Sequence, residues 1–236
     1  MANELYVVGQ ATLAGALRDL VPIFEKENGE RVQLLLGNPG VTATRIREGT
    51  PADAVILSTN LLRTLVSEGL VEESGKVPLG RTFIGMGMAT GVPKPAFANA
   101  ADFIALLRRL RTIGLVDPKG GSGTSPPFMK AVAALGIEAE ISPKYRYFPG
   151  AGEAVADAIA HGEVEAGVTA IPELAANKGV AVIGPIPKDV LDFGGITYAL
   201  VAKGAKHPEG ARKFLAFLKS PIATRAFVDL GLVLVD

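Results

Sequence analysis

The sequence predicts an α/β protein built on parallel β-sheets, and three observations support this fold class. Between residues 4 and 69, short apolar segments alternate three times with segments whose apolar residues recur at helical spacing. This alternation is typical of a parallel sheet with helices on both faces. Hydrophobic residues make up 48% of the chain and charged residues 20%, which is enough apolar material for a sizeable core. The length of 236 residues fits one large domain or two of ordinary size.

The same alternation continues along the rest of the chain. Apolar or β-branched runs bounded by Gly, Pro and Asn predict strands, and helical periodicity that ends at Gly or Asn predicts helices. Strands are expected at 4–9, 32–36, 54–57, 82–89, 113–116, 145–148, 166–169, 180–183 and 196–202. Helices are expected at 13–28, 41–48, 59–69, 99–110, 125–135, 152–161, 171–177, 208–218 and 221–229.

Four of the turns between a strand and the next helix carry small, hydroxyl or glycine residues. They lie at 9–12, 37–42, 120–125 and 149–152. In open α/β sheets, ligands bind beyond the carboxyl ends of the strands. If two such sheets face each other, the four turns can converge, and each offers the N–H groups of a helix N-terminus. The pattern therefore predicts a ligand site formed by these turns.

The segment from Val116 to Phe128 carries the strongest of these signals. The strand ends at Asp117-Pro118, a loop rich in Gly, Ser and Thr follows, and a helix is expected from about Ser125, with the Ser125 hydroxyl as its cap. Loop N–H groups, hydroxyls and a helix N-terminus beside Lys119 predict a site for an anion. The glycines are not followed by Gly-Lys-Ser/Thr, so the segment is not a P-loop. Residue 124 is Thr, whereas a nucleophile elbow needs Gly there.

Composition excludes several other classes. Lys and Arg number 24 and Asp and Glu number 24, so no general attraction to nucleic acid is expected. With no Cys and two His, no metal site and no cofactor are expected. No apolar run approaches about 20 residues, so membrane insertion is not expected. The start, Met1-Ala2-Asn3-Glu4, lacks signal-peptide features. We therefore expect a periplasmic protein if a signal peptide was removed, and otherwise a cytoplasmic one.

Five segments share their order and spacing with one known family. They are 7–13, 45–53, the Asp-Pro at 117–118 before the Gly-rich loop, 163–168 and 176–180. In these segments the chain resembles periplasmic solute-binding proteins similar to the molybdate-binding component of ABC importers. The resemblance extends over essentially the whole chain, and the Gly-x-Pro-Ala-Asp stretch at 49–53 is its most specific part.

The resemblance implies a two-lobed periplasmic-binding-protein fold of type II, with an anion held between the lobes. Lobe 1 would comprise residues 1–84 and 190–236, and lobe 2 residues 85–189. Two strands near 82–91 and 192–202 would cross between the lobes. The family also implies a monomer that delivers its ligand to an ABC permease in the membrane.

The resemblance also implies particular binding residues. The hydroxyl that the family carries in the turn after the first strand corresponds to Thr12. The family's residue at the start of the helix expected at 152–161 corresponds to Gly152. Asn38-Pro39-Gly40 stands where molybdate binders carry serines, and Ala170 stands at their tyrosine. These departures remove donors that a tetrahedral oxyanion needs, so an organic carboxylate is expected to fit better. The full predicted binding set is Gln10, Thr12, Asn38, Gly40, Lys119, Ser122, Gly123, Thr124, Gly152 and Thr169.

An enzymatic alternative stays open. Bacterial aconitate isomerase is similar to these binding proteins, and it interconverts the cis and trans tricarboxylates by an allylic proton shift. That chemistry needs a grip on carboxylates and an acid/base group, without metal or cofactor. The candidate proton carriers are Lys119, Tyr147, Glu153 and His161, and sequence spacing distinguishes none of them.

Overall fold

The computed structural model describes residues 4–235 of a mixed α/β protein in which sheets are flanked by helices. The chain forms two compact units. Unit 1 comprises the residues up to Thr82 and those from Gly195 onward, and unit 2 comprises Phe83–Gly194. The segment Met1-Ala2-Asn3, on which the expectation about a signal peptide depends, lies outside the described residues.

The predicted alternation of strands and helices is present along the chain. The strands are β1 (Glu4–Gln10), β2 (Arg31–Gly37), β3 (Ala54–Ser58), β4 (Val77–Ala89), β5 (Ile113–Val116), β6 (Tyr145–Phe148), β7 (Ala166–Ala170), β8 (Val180–Pro185) and β9 (Gly194–Val201). The α-helices are α1 (Ala14–Asn28), α2 (Pro39–Arg47), α3 (Thr59–Ser67), α4 (Ala100–Arg109), α5 (Ser125–Ala134), α6 (Glu138–Ile141), α7 (Gly152–Ala160), α8 (Ile171–Ala175), α9 (Pro208–Phe217) and α10 (Pro221–Asp229).

In unit 1, β1 is the central strand of the parallel part of the sheet. It pairs in parallel with β2, from Glu4 opposite Arg31 to Gln10 opposite Gly37, and with β3 on its other side. β3 pairs antiparallel with β9. The carboxyl ends of β1, β2 and β3 therefore lie along one edge, which places Gln10 and Ser58 close together.

The core of unit 1 is built from apolar faces of helices packed against this sheet. Phe24 of α1 is fully buried and meets Phe214 of α9 edge-to-face, with the ring centroids 5.0 Å apart. Helix α1 ends at Gly29, whose φ of 68° is the left-handed conformation that favours Gly. The predicted stop at Asn28-Gly29 thus has its expected physical cause.

Asp53 of the Gly-x-Pro-Ala-Asp stretch has a structural position in unit 1. It is 2% exposed, and its two carboxylate oxygens accept hydrogen bonds from the Tyr6 N–H at 2.9 Å and the His207 N–H at 2.8 Å. These bonds join the loop before β3 to β1 and to the start of α9. The most specific part of the family resemblance therefore stabilises the fold.

In unit 2, β5 is central and parallel to both β6 and β7. β4 pairs antiparallel with β7 and with β8. β4 begins at Val77, five residues before the start expected from sequence, since Val77 and Leu79 alternate into the core of unit 1. The parallel pairing puts the ends of β5 and β7 at the same edge.

Helix α7 packs directly on β7 because β7 carries Gly167. A Cβ atom at Gly167 would lie 2.8 Å from Ile159 Cδ1 and would also overlap Val155 of α7. The absence of a side chain permits this close approach. It fixes the N-terminus of α7 over the carboxyl end of β7, which is where the candidate site lies.

Candidate functional site

Two segments of unit 2 meet at the carboxyl edge of its sheet. β5 ends at Val116 and leads into the loop 117–124, whereas β7 ends at Ala170 and leads into α8. Because β5 and β7 are parallel neighbours, this loop lies beside Thr169. The structure thus brings together three residues of the predicted binding set, Ser122, Thr124 and Thr169, and their contact with a ligand stays a prediction.

Four hydroxyl side chains at this edge form what we call the hydroxyl cluster: Ser122, Thr124, Ser125 and Thr169. The Ser125 hydroxyl donates to the Val116 carbonyl at 2.7 Å and accepts from the Ser122 hydroxyl at 3.1 Å. Thr124 Oγ1 lies 3.4 Å from Ser122 Oγ and 3.5 Å from Thr169 Oγ1. The Thr169 hydroxyl donates to a carboxylate oxygen of Glu173 at 2.7 Å.

The directions of these hydrogen bonds decide which hydroxyl can donate its proton to a ligand. Each hydroxyl has a single proton. The protons of Ser122, Ser125 and Thr169 are committed to Ser125, Val116 and Glu173 respectively. Thr124, which is partly exposed, is therefore the member of the cluster whose proton can turn towards an anion.

Helix α5 supplies fewer N–H donors than the sequence suggested. The N–H groups of Thr124 and Ser125 both donate to the Ser122 hydroxyl, at 3.3 and 3.1 Å, and the next two residues are prolines without an N–H. The predicted cap bond from Ser125 is wrong, because Ser125 is the first helical residue and its hydroxyl bonds to β5. Among residues 4–235, the N–H groups of Ser122 and Gly123 have no partner, so the loop, rather than the helix end, offers donors.

Glu173 of α8 is a buried carboxyl that sequence reasoning missed. It accepts hydrogen bonds from the Thr169 hydroxyl, from the Gly152 N–H at 3.2 Å and from the Ala170 N–H. Burial raises the pKa of Glu173 above its ordinary value, and the charge of Glu153 adds to this, while the three hydrogen bonds act in the opposite direction. Glu173 is 7% exposed because of the packing of its helix, α8. A Glu in a first helical turn is usually exposed, so the sequence does not indicate this burial.

Gly152, predicted as a ligand donor, begins α7 directly above Glu173. Its N–H is committed to the Glu173 carboxylate. A Cβ atom at this position would overlap both Glu173 Oε2 and Thr169 Oγ1. Gly152 therefore permits the close approach of α7 to the carboxyl, and its predicted contact with a ligand stays a prediction.

The candidate proton carriers are not members of the hydroxyl cluster. Lys119 is exposed in a 3-10 turn, and its N–H donates to the Asp117 carboxylate at 2.9 Å. Tyr147 of β6 is 46% exposed, and its hydroxyl lies 3.9 Å from Met129 Sδ. Desolvation raises the pKa of Tyr147, and the charge of Asp117 adds to it. Glu153 is the second residue of α7 and is partly buried, and His161 is exposed at the end of that helix.

Unit 1 has its own polar group at the carboxyl edge of its sheet. Gln10, at the end of β1, is 3% exposed. Its Oε1 accepts from the Ser58 N–H at 3.0 Å, and its Nε2 donates to the Thr197 hydroxyl at 3.1 Å. Gln10 thus ties the ends of β1 and β3 to β9. Ser58 and Thr197 were not predicted, although Ser58 directly follows a buried strand, which is a usable signal.

The other predicted residues of unit 1 lie in the first two turns. Thr12 is 9% exposed in a 3-10 turn, and its hydroxyl makes no hydrogen bond to any described residue. Asn38 is the residue before α2, where its carbonyl accepts the Thr42 N–H at 2.9 Å, and Gly40 is exposed in the first turn of that helix. The Thr42 hydroxyl donates to the Gly9 carbonyl at 3.1 Å, which holds the two turns together.

Within residues 4–235, no group of three or more His, Cys, Asp or Glu side chains is placed to hold a metal ion. None of the helices in the described part of the chain combines the length and the apolar character that a membrane span needs.

A cavity of about 1040 Å³ lies in unit 2 beside Thr112 and Glu165, where β5 and β7 begin, and the predicted site residues do not line it.

Comparison with known proteins identifies the family. A family model described as bacterial extracellular solute-binding protein matches residues 5–233. The chain belongs to this family. An aconitate isomerase from a Pseudomonas species is 29% identical to this solute-binding protein over 235 residues, which span 98% of the chain and 87% of the relative.

Solved structures agree with this assignment at the level of the fold. The periplasmic molybdate-binding protein of Azotobacter vinelandii superimposes with a TM-score of 0.77 at 19% identity, covering 98% of this chain and 100% of that one. The sulfate-binding protein SubI of Mycobacterium tuberculosis H37Rv gives a TM-score of 0.74 at 19% identity, covering 99% and 88%. The predicted periplasmic-binding-protein fold and the predicted family are both confirmed.

Proposed function

We propose that this solute-binding protein binds a small organic carboxylate, with an acid of more than one carboxylate as the preferred ligand. The observation that carries the proposal is the donor set of the loop after β5. It consists of the Thr124 hydroxyl, the N–H groups of Ser122 and Gly123, and the exposed Lys119. These donors match the two oxygens of one carboxylate with a cation nearby, whereas a tetrahedral dianion presents four oxygens.

The proposal assigns ligand contacts in both units. In unit 1 the Thr12 hydroxyl is the first candidate, since it is nearly buried and makes no hydrogen bond to a described residue. Gln10, Asn38 and Gly40 complete that set. The proposal includes the lobes 1–84 with 190–236 and 85–189 expected from the resemblance. It also includes a monomer in the periplasm that delivers its ligand to an ABC permease.

Thermal-shift and calorimetric titrations test the ligand class. The probes are trans-aconitate, cis-aconitate, citrate, molybdate, tungstate and sulfate. A ligand at 100 times its Kd adds about 2.7 kcal/mol of stability, which for a chain of this size raises Tm by about 5–10 °C. We expect this shift with an organic acid. A shift with molybdate or tungstate alone would overturn the carboxylate assignment.

Variants locate the site. Thr124→Val removes a hydroxyl donor to a charged ligand and is expected to weaken binding by about 1.5–3 kcal/mol, or about 10- to 150-fold. Thr64→Val is the matched control, because Thr64 is an exposed helical residue whose hydroxyl bonds to the Asn60 carbonyl. Equal affinity in Thr124→Val and Thr64→Val would remove Thr124 from the site.

A second candidate function has a specific observation in its favour. The relative named aconitate isomerase matches over 98% of this chain. On this proposal, a base removes a proton from the methylene carbon of one aconitate isomer. A proton then returns to the former alkene carbon, the double bond shifts, and no atom is gained or lost. Lys119, Glu153 and Tyr147 are the proposed proton carriers.

NMR of trans-aconitate incubated with the protein in D₂O tests this candidate. Isomerisation produces the cis signals, and proton removal places deuterium on carbon. We expect Lys119→Ala or Glu153→Ala to abolish turnover while affinity stays within about tenfold of the original value. A protein that binds aconitate without interconversion or deuterium exchange is a binding protein only.

A further inference from the structure

The Thr169 hydroxyl joins the hydroxyl cluster to the buried carboxylate of Glu173. We propose that Glu173 is a positioning residue that decides whether Thr169 competes with an anion for the Thr124 proton, and that anion binding is linked to protonation of Glu173. This inference rests on the proposed anion site at Thr124. Glu173 itself lies behind Thr169 and is not assigned a contact with the ligand.

When Glu173 is ionised, it holds the Thr169 proton. The Thr169 hydroxyl donates to Oε2 at 2.7 Å, so towards Thr124 it presents a lone pair. The Thr124 proton then has an internal acceptor 3.5 Å away, which competes with any anion. In this state the cluster offers an anion one hydroxyl proton at most.

When Glu173 is neutral, the direction of this bond reverses. A carboxyl proton on Oε2 donates to Thr169 Oγ1, and the Thr169 proton turns towards Thr124. The Gly152 N–H keeps its bond to Oε1. The Thr124 hydroxyl now accepts from Thr169, and its own proton is directed to the ligand. Protonation of one buried carboxyl thus removes Thr169 as a competing acceptor for the Thr124 proton.

The surrounding charges favour this coupling. Helix α8 packs against α7, β7 and β8. α7 carries Glu153 and Asp157, with His161 at its end, whereas β7 and β8 contain no titratable residue. Glu153 already disfavours a charge on Glu173, and Asp157 is bonded to the Asn177 amide at 2.8 Å. An anion beside Thr124 adds a further negative charge, which favours the neutral carboxyl.

The predicted result is that anion affinity rises as the pH falls. Where free Glu173 is ionised and bound Glu173 is neutral, binding takes up about one proton, and Kd falls by up to about tenfold per pH unit. A residue with a purely structural role would leave this pH profile unchanged.

Two variants separate the steps. In Glu173→Gln, the amide nitrogen donates to Thr169 at every pH, so the Thr169 proton always points outward. In Thr169→Val, the link between residue 173 and Thr124 is broken. Glu163→Gln is the matched control, because it removes one exposed carboxylate of unit 2.

Calorimetry with sulfate and trans-aconitate, at about pH 5 and about pH 8, provides the binding test. Sulfate stays a dianion over this range, so its pH profile reports the protein. We expect Glu173→Gln to bind at pH 8 with at least about tenfold higher affinity than the unmodified protein, and to lose the pH dependence. Thr169→Val removes both the competing acceptor and the link to residue 173, so its affinity for sulfate should be the same at both pH values. If Glu173→Gln binds both anions more weakly throughout, the proposal is overturned.

A pH titration of the ligand-free protein, followed by NMR, tests the hydrogen-bond link from Glu173 through Thr169 to Thr124 independently of any anion. The amide signals of Gly152 and Thr124 should shift with one common midpoint in the unmodified protein and in Glu163→Gln. Both shifts should vanish in Glu173→Gln, and the Thr124 shift alone should vanish in Thr169→Val. If the Thr124 amide signal does not shift with the midpoint seen for Gly152, the proposed hydrogen-bond link from Glu173 through Thr169 to Thr124 is overturned. If this link is present but no probe binds, the proposed carboxylate site fails while the positioning role of Glu173 is supported.

Discussion

Replacing Asp53 with Asn should destabilise the protein without affecting its ligand site. Asp53 is 2% exposed and accepts one backbone N–H on each carboxylate oxygen, from Tyr6 at 2.9 Å and His207 at 2.8 Å. Asn has one oxygen, so its amide NH₂ group would face one of these N–H donors. One charge-assisted hydrogen bond is lost and one buried N–H is left without an acceptor.

The size of the effect follows from these two losses. A hydrogen bond to a charged group contributes about 1.5–3 kcal/mol, and a buried donor without a partner costs about 1–3 kcal/mol. Together we expect Asp53→Asn to lower the free energy of unfolding by about 2.5–6 kcal/mol, or Tm by about 5–24 °C. The matched control is Asp229→Asn, whose exposed pair with Arg225 at 2.8 Å should contribute less than about 1 kcal/mol.

Urea denaturation followed by circular dichroism measures both variants, and calorimetry with the best ligand follows on the folded proteins. Asp53→Asn should bind within about twofold of the unmodified protein. The reasoning is refuted if Asp53→Asn is as stable as Asp229→Asn. It is also refuted if affinity falls more than about tenfold at unchanged stability, because Asp53 would then belong to the ligand site.

Three further predictions concern the site itself. Gly152→Ala should lower the free energy of unfolding by about 2–5 kcal/mol, since its Cβ would overlap Glu173 and Thr169. The control Gly37→Ala, whose Cβ would lie 3.6 Å from the nearest atom, should change it by less than about 1 kcal/mol. Denaturant titration compares the two variants. The ligand-free protein should lose stability as the pH rises above the ordinary carboxyl range. The raised pKa of Glu173 makes the folded state bind more protons, so its contribution is present at low pH and is lost through the folded pKa. A pH series of Tm shows this slope, and Glu173→Gln should lack it. Thr12→Ala should weaken ligand binding by about 0.5–3 kcal/mol in calorimetry, and unchanged affinity would remove Thr12 from the site.

The sequence predicted the fold class because its evidence is local. Apolar periodicity, Gly29 at the end of α1 and the alternation of strands with helices each report on neighbouring residues. That the loop after β5 lies beside the end of β7 also follows from the order of elements, because strand ends of a parallel sheet share an edge. Thr169 itself was placed in the predicted binding set without this argument.

What could not be predicted depends on individual bond directions and on burial. Pro126 and Pro127 can be read from the sequence, yet the loss of helix N–H donors also required that Ser122 takes the N–H groups of its neighbours. Glu173 looked like an ordinary first-turn Glu, and its burial follows from Gly152 and from the packing of α8. The donors that remain available to a ligand can therefore be identified only from the three-dimensional structure, even though the fold class can be predicted from the sequence.

A buried carboxyl behind an anion site also affects selectivity. Anions compete for the same few donors, and the gain from an outward Thr169 proton is larger for a ligand that brings more charge close to Thr124. The same ligand disfavours an ionised Glu173 more strongly, so its binding takes up more of a proton at a given pH. The two effects act together, and they predict that the pH dependence of affinity increases with ligand charge. A series of mono-, di- and tricarboxylates is titrated with the unmodified protein and Glu173→Gln, and each affinity is corrected for the ligand's own ionisation. The corrected pH profiles should diverge with charge in the unmodified protein and run parallel in Glu173→Gln. Parallel profiles in both proteins would mean that Glu173 does not respond to the ligand, and that its hydrogen bonds to Thr169 and Gly152 serve the fold alone.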